Sequence, residues 1–331
     1  MSDLRLSLAI SDYVHTRDLA DGRIKPVGID LVINNLSFEQ AAFRFGAHRE
    51  FDISEFSFAN YCALLSAPVA DIVALPVFPS RMFRHSSIYI NQRSDIRAAS
   101  DLKGRIVGIP QWSQTATVYV RGYLQHDAGV PLSSITWVQA GVDEAGRRDP
   151  INSRLPPGVT VEARPDRTLT DMLLKGEIDA IITARPPRCF VEGAPGVRRL
   201  FADYRAEEER YFSRSRIFPI MHIIALKREA YEANRWIARN LFDAFEAAKR
   251  ASIARLYNIQ SSYLPTAWLT DELERMHRLL FGEADPWPYG LEHNRSTIEP
   301  FLIYCHEQGV TQRLLSPEEL FPKELELEVK I

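Results

Sequence analysis

The feature that most restricts the fold of this chain is an apolar run, Ile72 to Phe78, that stops at Pro79. A strand without polar positions is typical of a parallel sheet that helices cover on both faces. The run therefore predicts an α/β fold with this strand inside a sheet. Because the alternating segment Ile88-Tyr89-Ile90 follows after a short stretch, the chain can cross there from one domain to another.

The stretch between these two strands is strongly basic. From Pro79 to Ser94 it has no carboxylate, and it carries Arg81, Arg84 and His85. Arginine binds a carboxylate through two parallel hydrogen bonds, and a neighbouring histidine can transfer protons near neutral pH. Two interpretations stay open: an anion-binding hinge with an acid/base group, and a solvated basic loop.

Length and composition describe an ordinary globular protein. The 331 residues suggest two domains, and 46% hydrophobic with 25% charged residues is typical of soluble proteins. The net charge of −3 gives no argument for binding nucleic acid or an anionic membrane. No apolar run is long enough to span a membrane.

The cysteines and the first residues predict the cellular compartment. Cys62, Cys189 and Cys305 are odd in number and far apart, which favours a reducing compartment over a disulfide framework. The segment after Met1 enters a strand pattern directly, without the basic and apolar regions of a secretory signal. We therefore expect a cytoplasmic protein with neither a nucleic acid nor a membrane as partner.

Strand and helix patterns alternate along the first part of the chain. Strand patterns occur at Leu4 to Ile10, Ile29 to Leu36, Phe51 to Ser57 and Asp71 to Phe78. Open α/β sheets bind ligands beyond the carboxyl ends of their strands. Asp12, Glu55 and Phe78 stand at such ends and are candidate site residues.

A second set of strands and helices follows the basic stretch. Ser113 and Thr115 precede a predicted helix, Ala116 to Ala128, whose first amides have no partner within the helix and can bind an anion. Arg185 stands at a strand end that two following prolines stiffen. These three residues are expected to face a ligand from the second half of the chain.

The strand pattern Ile217 to Leu226 returns the chain to the first half, and it contains His222. Helical segments follow at Arg228 to Leu256, Thr270 to Phe281 and Ser296 to Gln308. Two α/β halves with two crossings predict a two-lobed clamshell, each lobe a mixed sheet flanked by helices, with a ligand cleft between the lobes. We expect lobe I to comprise residues 1–86 and 223–331, and lobe II residues 87–222.

The sequence lacks several motifs that would indicate other chemistries. It contains no glycine-rich phosphate-binding loop, no His-Glu-x-x-His zinc motif, no cysteine pairs at metal spacing and no Gly-x-Ser-x-Gly elbow. A divalent metal bound by Glu55 with His85 or His222 stays open as an alternative.

Five segments are specific enough to suggest a family. They run in order through nearly the whole chain: Phe51 to Ser57, Pro76 to Ser86, Arg185-Pro186-Pro187, Phe218 to His222 and Trp287 to Gly290. Together they resemble the 4,5-dihydroxyphthalate decarboxylase family, which is similar in fold to type II periplasmic binding proteins but acts in the cytoplasm. The resemblance implies a non-oxidative decarboxylase that converts 4,5-dihydroxyphthalate to 3,4-dihydroxybenzoate (protocatechuate) and carbon dioxide, with no organic cofactor.

The implied substrate is a small aromatic polycarboxylate or hydroxybenzoate, and its reaction assigns roles to the candidates. His85 is the expected proton donor and His222 the second choice, while Glu55 or Asp12 would accept phenol hydrogens. The expected carboxylate clamp is Arg81, Arg84 and Arg185. The other expected contacts are Phe78, Trp112 and Tyr289 on the ring, with Ser113, Thr115 and Asn294 as polar groups.

Structural roles for the same residues stay open. They are an ion pair within the lobe for Arg84, a pairing with Arg81 for Glu55, a buried core position for His222, helix caps for Ser113 and Thr115, and loop packing for Tyr289. For the whole protein, the competing functions are a solute-binding module for an aromatic carboxylate and another ring-modifying lyase. A homo-oligomer is expected, with the C-terminal helices facing a partner subunit.

Overall fold

The chain forms two mixed β-sheets with helices on their faces, in a computed structural model that describes residues 3–282 and 284–325. The strands are β1 (Leu4–Ile10), β2 (Ile29–Asn35), β3 (Ile53–Ser57), β4 (Ile72–Arg81), β5 (Ile88–Asn91), β6 (Ile106–Ile109), β7 (Thr136–Gly141), β8 (Val161–Thr168), β9 (Ala180–Ile182), β10 (Val197–Arg199) and β11 (Ile220–Lys227). The α-helices are α1 (Arg17–Ala20), α2 (Phe38–His48), α3 (Phe58–Ser66), α4 (Thr115–His126), α5 (Leu169–Lys175), α6 (Arg188–Val191), α7 (Tyr204–Ser215), α8 (Arg228–Ala233), α9 (Trp236–Tyr257), α10 (Leu269–Met276) and α11 (Arg295–Glu307).

The first sheet has five strands in the order β2-β1-β3-β11-β4, and we call the part of the molecule around it lobe I. β1 pairs in parallel with β2 and β3, whereas β11 lies antiparallel between β3 and β4. Most residues of β4 and β11 are buried, as expected for strands that are covered on both faces.

The second sheet has six strands in the order β10-β5-β9-β6-β7-β8, and we call the part around it lobe II. β9, β6, β7 and β8 pair in parallel, while β5 is antiparallel to both of its neighbours. Two mixed sheets flanked by helices confirm the predicted α/β class.

The two crossings between the sheets lie side by side. One joins β4 to β5 and the other leads into β11, and the Met82 N–H of the first donates to the Pro219 carbonyl of the second at 3.0 Å. β11 begins at Ile220, so His222 lies within a strand of the first sheet. The lobe boundaries at 86/87 and 222/223 stay predictions.

Several helices begin and end at the signals that the sequence carries. Ser37 forms a capping box with Gln40 at the start of α2. Thr168 caps α5, which ends at Gly176 in the left-handed conformation, with φ of 74°. None of the helices within residues 3–282 and 284–325 is both long enough and apolar enough to cross a membrane.

Three elements differ from the sequence pattern. β4 continues past Pro79 to Arg81, because β11 pairs with it at Ser80 and Arg81. The helix expected from Arg228 is broken at Asn234, which separates α8 from α9. α7 was not predicted, because the only fully buried residues among its twelve are Tyr211 and Phe212, too few for a clear apolar stripe.

The C-terminal helix α11 packs against α4 of lobe II. Tyr119 stacks on Phe301 with ring centroids 4.5 Å apart. The Gln308 side chain accepts from Arg121 Nε at 2.8 Å and donates to the Val118 carbonyl at 3.0 Å. These contacts give Nε of a fully buried guanidinium its acceptor and connect α4 to the end of α11.

Replacing Gly122 tests this helix contact. A Cβ at position 122 would lie 2.3 Å from Cδ2 of Tyr304. Alanine favours a helix by about 1 kcal/mol over glycine, but displacing a packed ring costs roughly 1–3 kcal/mol. We expect Gly122→Ala to lower the free energy of unfolding, as measured by urea denaturation. When Gly122→Ala is made in a Tyr304→Leu variant, most of that loss in unfolding free energy should vanish. An equal loss with tyrosine and with leucine at position 304 would contradict a clash with the Tyr304 ring.

Candidate active site

Residues from two neighbouring strands form a buried carboxylate–histidine pair. The register of β3 and β11 pairs Ile224 with Glu55 and His222 with Ser57. Because residues two apart on a strand face the same side, Glu55 and His222 project from one face of the first sheet. Glu55 Oε1 lies 2.6 Å from His222 Nδ1; the Glu55 side chain is fully buried and the His222 side chain is 16% exposed.

Three donors surround the Glu55 carboxylate. Besides His222, the Tyr13 hydroxyl donates to Oε1 at 2.5 Å and the Ser11 N–H donates to Oε2 at 3.0 Å. Burial raises the pKa of Glu55, but the hydrogen bond and charge of His222, with the other two donors, outweigh burial and lower the pKa below its ordinary value. Glu55 is therefore ionised at neutral pH.

The ionised carboxylate fixes where the hydrogens of the site lie. A carboxylate only accepts hydrogen bonds, so His222 Nδ1 carries a hydrogen in its bond with Glu55. Burial, and then the charge of Glu55, raise the pKa of Tyr13, which therefore stays a neutral donor. The bond at Nδ1 leaves Nε2 as the ring nitrogen of His222 that can exchange a proton with a ligand.

The His222 ring is also held at its face. It stacks on Phe38, the first residue of α2, with centroids 3.5 Å apart and planes 5° from parallel. The capping box at Ser37 fixes the start of that helix. The imidazole is thus oriented both by Glu55 and by Phe38.

His85 lies in a different environment. It is 5% exposed, and neither ring nitrogen has a hydrogen-bond partner within the described ranges. The rings around it are those of Tyr123, Phe201 and Tyr211. Burial, and then the charge of Arg214, lower the pKa of His85 to about 4, so it is neutral at pH 7. The structure does not bring His85 to the Glu55–His222 pair.

Arg81 is engaged by the protein itself rather than paired with Glu55. Its Nη1 donates to Asn294 Oδ1 at 2.7 Å and its Nη2 donates to the Phe218 carbonyl at 2.8 Å. The Asn294 amide donates in turn to the carbonyls of Pro288 and Gly290. Burial lowers the pKa of Arg81 to about 10. Arg81 and Asn294 therefore have a structural role: they hold the loop after residue 286 against lobe I.

The two aromatic candidates beside that loop are buried as well. Phe78 is fully buried and lies edge to face with Tyr289 at 6.4 Å between centroids. Tyr289 is 3% exposed, and Lys249 Nζ lies 4.6 Å from its ring centroid. Both rings therefore pack within the protein, as the loop-packing alternative for Tyr289 expects.

Arg84 is buried at the first crossing. Its Nε lies 3.1 Å from the sulfur of Met221, and its Nη1 donates to the Ala184 carbonyl at 3.3 Å. Burial lowers the pKa of Arg84 to about 10. The partners of Arg84 are thus Met221 and Ala184, and no bond joins it to the Glu55–His222 pair among the described residues.

The candidates before and at the start of α4 have separate partners. Trp112 donates its indole N–H to the Gln308 carbonyl at 2.8 Å and lies under the Arg121 guanidinium. Ser113 donates to Asp149. Thr115 lies 2.9 Å from the hydroxyl of Ser57. Because Ser57 is the register partner of His222, Thr115 links lobe II to the surroundings of the pair.

The remaining two candidates are exposed. Asp12 forms an ion pair with Arg17 at 3.1 Å, with 66% of its side chain exposed. Arg185 binds Glu39 of lobe I through Nη2, at 2.9 Å from Oε2, with 69% of its side chain exposed. Asp12 therefore turns outward, whereas Arg185 reaches from lobe II to the start of α2, beside Phe38.

Four residues of this region are not among those that the sequence predicts: Tyr13, Phe38, Glu39 and Arg147. Tyr13 follows the first strand in the same loop as Asp12, and the position after a strand end was a usable signal. Phe38 and Glu39 begin a capped helix directly after β2, which is also a strand end. Arg147, whose Nη1 lies 3.5 Å from Glu39 Oε1, occurs in a turn-rich segment without a pattern that marks it.

The described residues also bear on the metal alternative. Within residues 3–282 and 284–325, no group of three or more His, Cys, Asp and Glu side chains is arranged to hold a metal ion. Glu55 and His222 bond to each other directly, and His85 is not beside them. Cofactor independence stays a prediction.

Two curated relatives are similar in sequence to this chain. It is 36% identical over 328 residues to the 4,5-dihydroxyphthalate decarboxylase of Comamonas testosteroni, covering 98% of this chain and 99% of that protein. It is 42% identical over 204 residues to the 4,5-dihydroxyphthalate decarboxylase of Pseudomonas putida, covering 61% of this chain and 79% of that protein. No family model matches the chain. The first similarity extends over essentially the whole of both proteins.

Solved structures show the fold. The periplasmic aliphatic sulphonate binding protein SsuA of Escherichia coli matches with a TM-score of 0.54 and 16% identity, over 100% of this chain and 95% of that one. A periplasmic sulfonate-binding protein SsuA of Methylobacillus flagellatus KT matches with a TM-score of 0.52 and 12% identity, over 98% and 93%. These similarities confirm the predicted two-lobed fold of periplasmic binding proteins.

The Glu55 carboxylate should make a pH-dependent contribution to stability. We expect Glu55→Gln to lower the free energy of unfolding at neutral pH by about 1–3 kcal/mol, because an amide replaces a charged acceptor. Since the folded-state pKa lies below the ordinary 4.5, this contribution is complete above pH 4.5 and is lost as pH falls through the folded-state value. In urea unfolding, the difference in unfolding free energy between wild type and Glu55→Gln should narrow below pH 4.5. A difference that widens there would contradict a lowered pKa for Glu55.

Proposed function

This chain belongs to the 4,5-dihydroxyphthalate decarboxylase family and is therefore a carboxy-lyase, and we propose that it converts 4,5-dihydroxyphthalate to protocatechuate and carbon dioxide. The observation that supports a proton-transfer role for this site is the Glu55–His222 pair. It combines a fully buried, ionised carboxylate with a partly exposed histidine that the carboxylate orients.

The reaction requires a proton at a ring carbon. Each carboxylate of 4,5-dihydroxyphthalate is para to a phenol oxygen, which can push electrons toward the carbon that bears the carboxylate. That carbon accepts a proton as the phenol hydrogen leaves. The bond to the carboxylate then breaks, its electrons return to the ring as carbon dioxide departs, and the phenol regains its hydrogen. One proton thus replaces one carbon dioxide.

His222 is the group we assign to that proton transfer. Its Nδ1 is occupied by Glu55, so Nε2 is the atom that would deliver the proton. Glu55 stabilises the protonated imidazole and holds its tautomer. Tyr13 supports Glu55 by donating to the same oxygen, and Phe38 keeps the ring plane fixed.

The substrate carboxylates need cations, and Arg185 is the candidate that the structure leaves exposed. It extends from lobe II to the helix whose first residue stacks on His222. Arg81 and Arg84 are buried and hydrogen-bonded to protein groups, which disfavours them as direct substrate ligands. The cytoplasmic location and the homo-oligomer stay predictions.

The proposed reaction has a direct test. Purified protein incubated with 4,5-dihydroxyphthalate should release carbon dioxide and protocatechuate in equal amounts, measured by gas analysis and liquid chromatography. Saturable binding without either product would reject this reaction and favour the solute-binding alternative. Product formed from another hydroxylated aromatic acid alone would keep the decarboxylase and change its substrate.

Two histidine variants separate the candidate proton donors. We expect His222→Asn to lower kcat by about 10²- to 10⁴-fold, the usual contribution of a positioned general acid. The matched control is His85→Phe, which keeps an aromatic ring in the cage of His85 and should retain most of the turnover. Steady-state kinetics of both variants decide the assignment. Loss of turnover in His85→Phe with full activity in His222→Asn would return the role to His85.

A further inference from the structure

One carboxylate of lobe I is bridged by two arginines of lobe II. Glu39, the second residue of α2, has its Oε2 at 2.9 Å from Arg185 Nη2 and its Oε1 at 3.5 Å from Arg147 Nη1. Each oxygen of Glu39 thus faces one guanidinium. The three side chains form a contact between the lobes that resembles how two arginines would hold one ligand carboxylate.

This contact lies beside the Glu55–His222 pair. Glu39 directly follows Phe38, and the Phe38 ring lies flat on His222. The backbone at Arg185 is fixed by Thr183, whose hydroxyl donates to the Arg185 carbonyl at 3.0 Å. A ligand that reaches His222 Nε2 would therefore be close to the two guanidinium groups.

Arg147 has donor capacity that the protein does not use. Its Nη2 donates to Gln111 Oε1 at 3.0 Å, which positions the side chain. Its Nε is buried and has no hydrogen-bond partner among the residues that the structure describes. A guanidinium has five N–H groups in one plane. Because Gln111 binds Nη2, Nη1 can pass from Glu39 to a ligand carboxylate without Arg147 leaving Gln111.

The ion pairs with Glu39 are weak enough to exchange. The Glu39 side chain is 47% exposed and that of Arg185 is 69% exposed, and exposed pairs contribute about 0–1 kcal/mol. A ligand carboxylate that forms paired hydrogen bonds within a closed cleft would be held more strongly than that. Glu39 can therefore give way to a ligand with little loss of stability.

We propose that Arg147 and Arg185 form the clamp of lobe II for one carboxylate of the substrate, and that Glu39 is the internal competitor which that carboxylate displaces. The inference rests on the proposed function, because the ligand class it names is an aromatic ortho-dicarboxylate. If Arg147 binds the ligand and Glu39 competes with it, replacing Arg147 should weaken ligand binding and replacing Glu39 should strengthen it. A contact that only joined the lobes would give both partners the same effect.

The test is whether removing the charge of Arg147 and removing the charge of Glu39 change ligand affinity in opposite directions. Arg147→Gln should raise the KM for 4,5-dihydroxyphthalate and the Kd for phthalate by roughly 10- to 100-fold, the equivalent of a lost charged hydrogen bond, with kcat nearly unchanged. Glu39→Gln should lower both constants by about two- to fivefold, because an amide competes poorly for arginine. Arg148→Gln, at the exposed neighbouring position, is the matched control and should change neither constant.

Phthalate binding, measured by calorimetry, keeps this inference separate from the proposed reaction. If 4,5-dihydroxyphthalate is not decarboxylated but the two variants shift the phthalate Kd in opposite directions, the clamp stands and the proposed reaction fails. If the wild type decarboxylates its substrate but Arg147→Gln and Glu39→Gln both weaken phthalate binding, Glu39 only joins the lobes and the clamp is overturned. No binding of phthalate to the wild type, or no shift in either variant, also overturns it.

Discussion

The buried carboxylate of Glu55 is the group on which the arrangement of lobe I depends. An ionised carboxylate withdrawn from water costs several kcal/mol unless donors surround it. Its donors come from two distant parts of the chain: Ser11 and Tyr13 after the first strand, and His222 on β11. Because β11 follows the whole of lobe II in sequence, the carboxylate gains its last donor only when the chain has returned to the first sheet. The Glu55–His222 pair therefore exists only where β11 lies beside β3 in the first sheet.

The two candidate histidines lie in opposite kinds of surroundings. His222 bonds an ionised carboxylate through one nitrogen, and 16% of its side chain is exposed. His85 lies among aromatic rings, where no described group bonds its nitrogens and burial holds its pKa near 4. The two side chains are chemically identical, so the difference between a hydrogen-bonded, partly exposed imidazole and an isolated, buried one comes from their surroundings alone.

The sequence predicted the architecture well because strand ends and helix caps are local signals. Glu55 was selected as a residue at a strand end, and the structure places it in the first sheet but in the middle of β3. Side-chain direction is not a local signal. The loop after β1 offered both Asp12 and Tyr13, and the exposed Asp12 turned to Arg17 while Tyr13 turned inward. Arg81 looked like a free cation because its partners, Asn294 and two carbonyls, lie more than a hundred residues away. Arg147 lies in a proline- and glycine-rich segment, where no periodicity indicates a contact with α2.

Under the proposed function, the two lobes carry different parts of the chemistry. Lobe I holds the proton-transfer group, in which the charge of a protonated His222 would be cancelled by Glu55, so the pair offers no net positive charge to a dicarboxylate. The positive charge for a dicarboxylate is therefore assigned to Arg185 of lobe II, because the candidate arginines Arg81 and Arg84 are buried and hydrogen-bonded to protein groups. A dianionic ring can therefore approach His222 favourably only when the lobes are close enough for Arg185 to reach it. The contact between the lobes, in which Arg185 already reaches Glu39, would thus supply the positive charge that a dicarboxylate needs beside an ionised carboxylate.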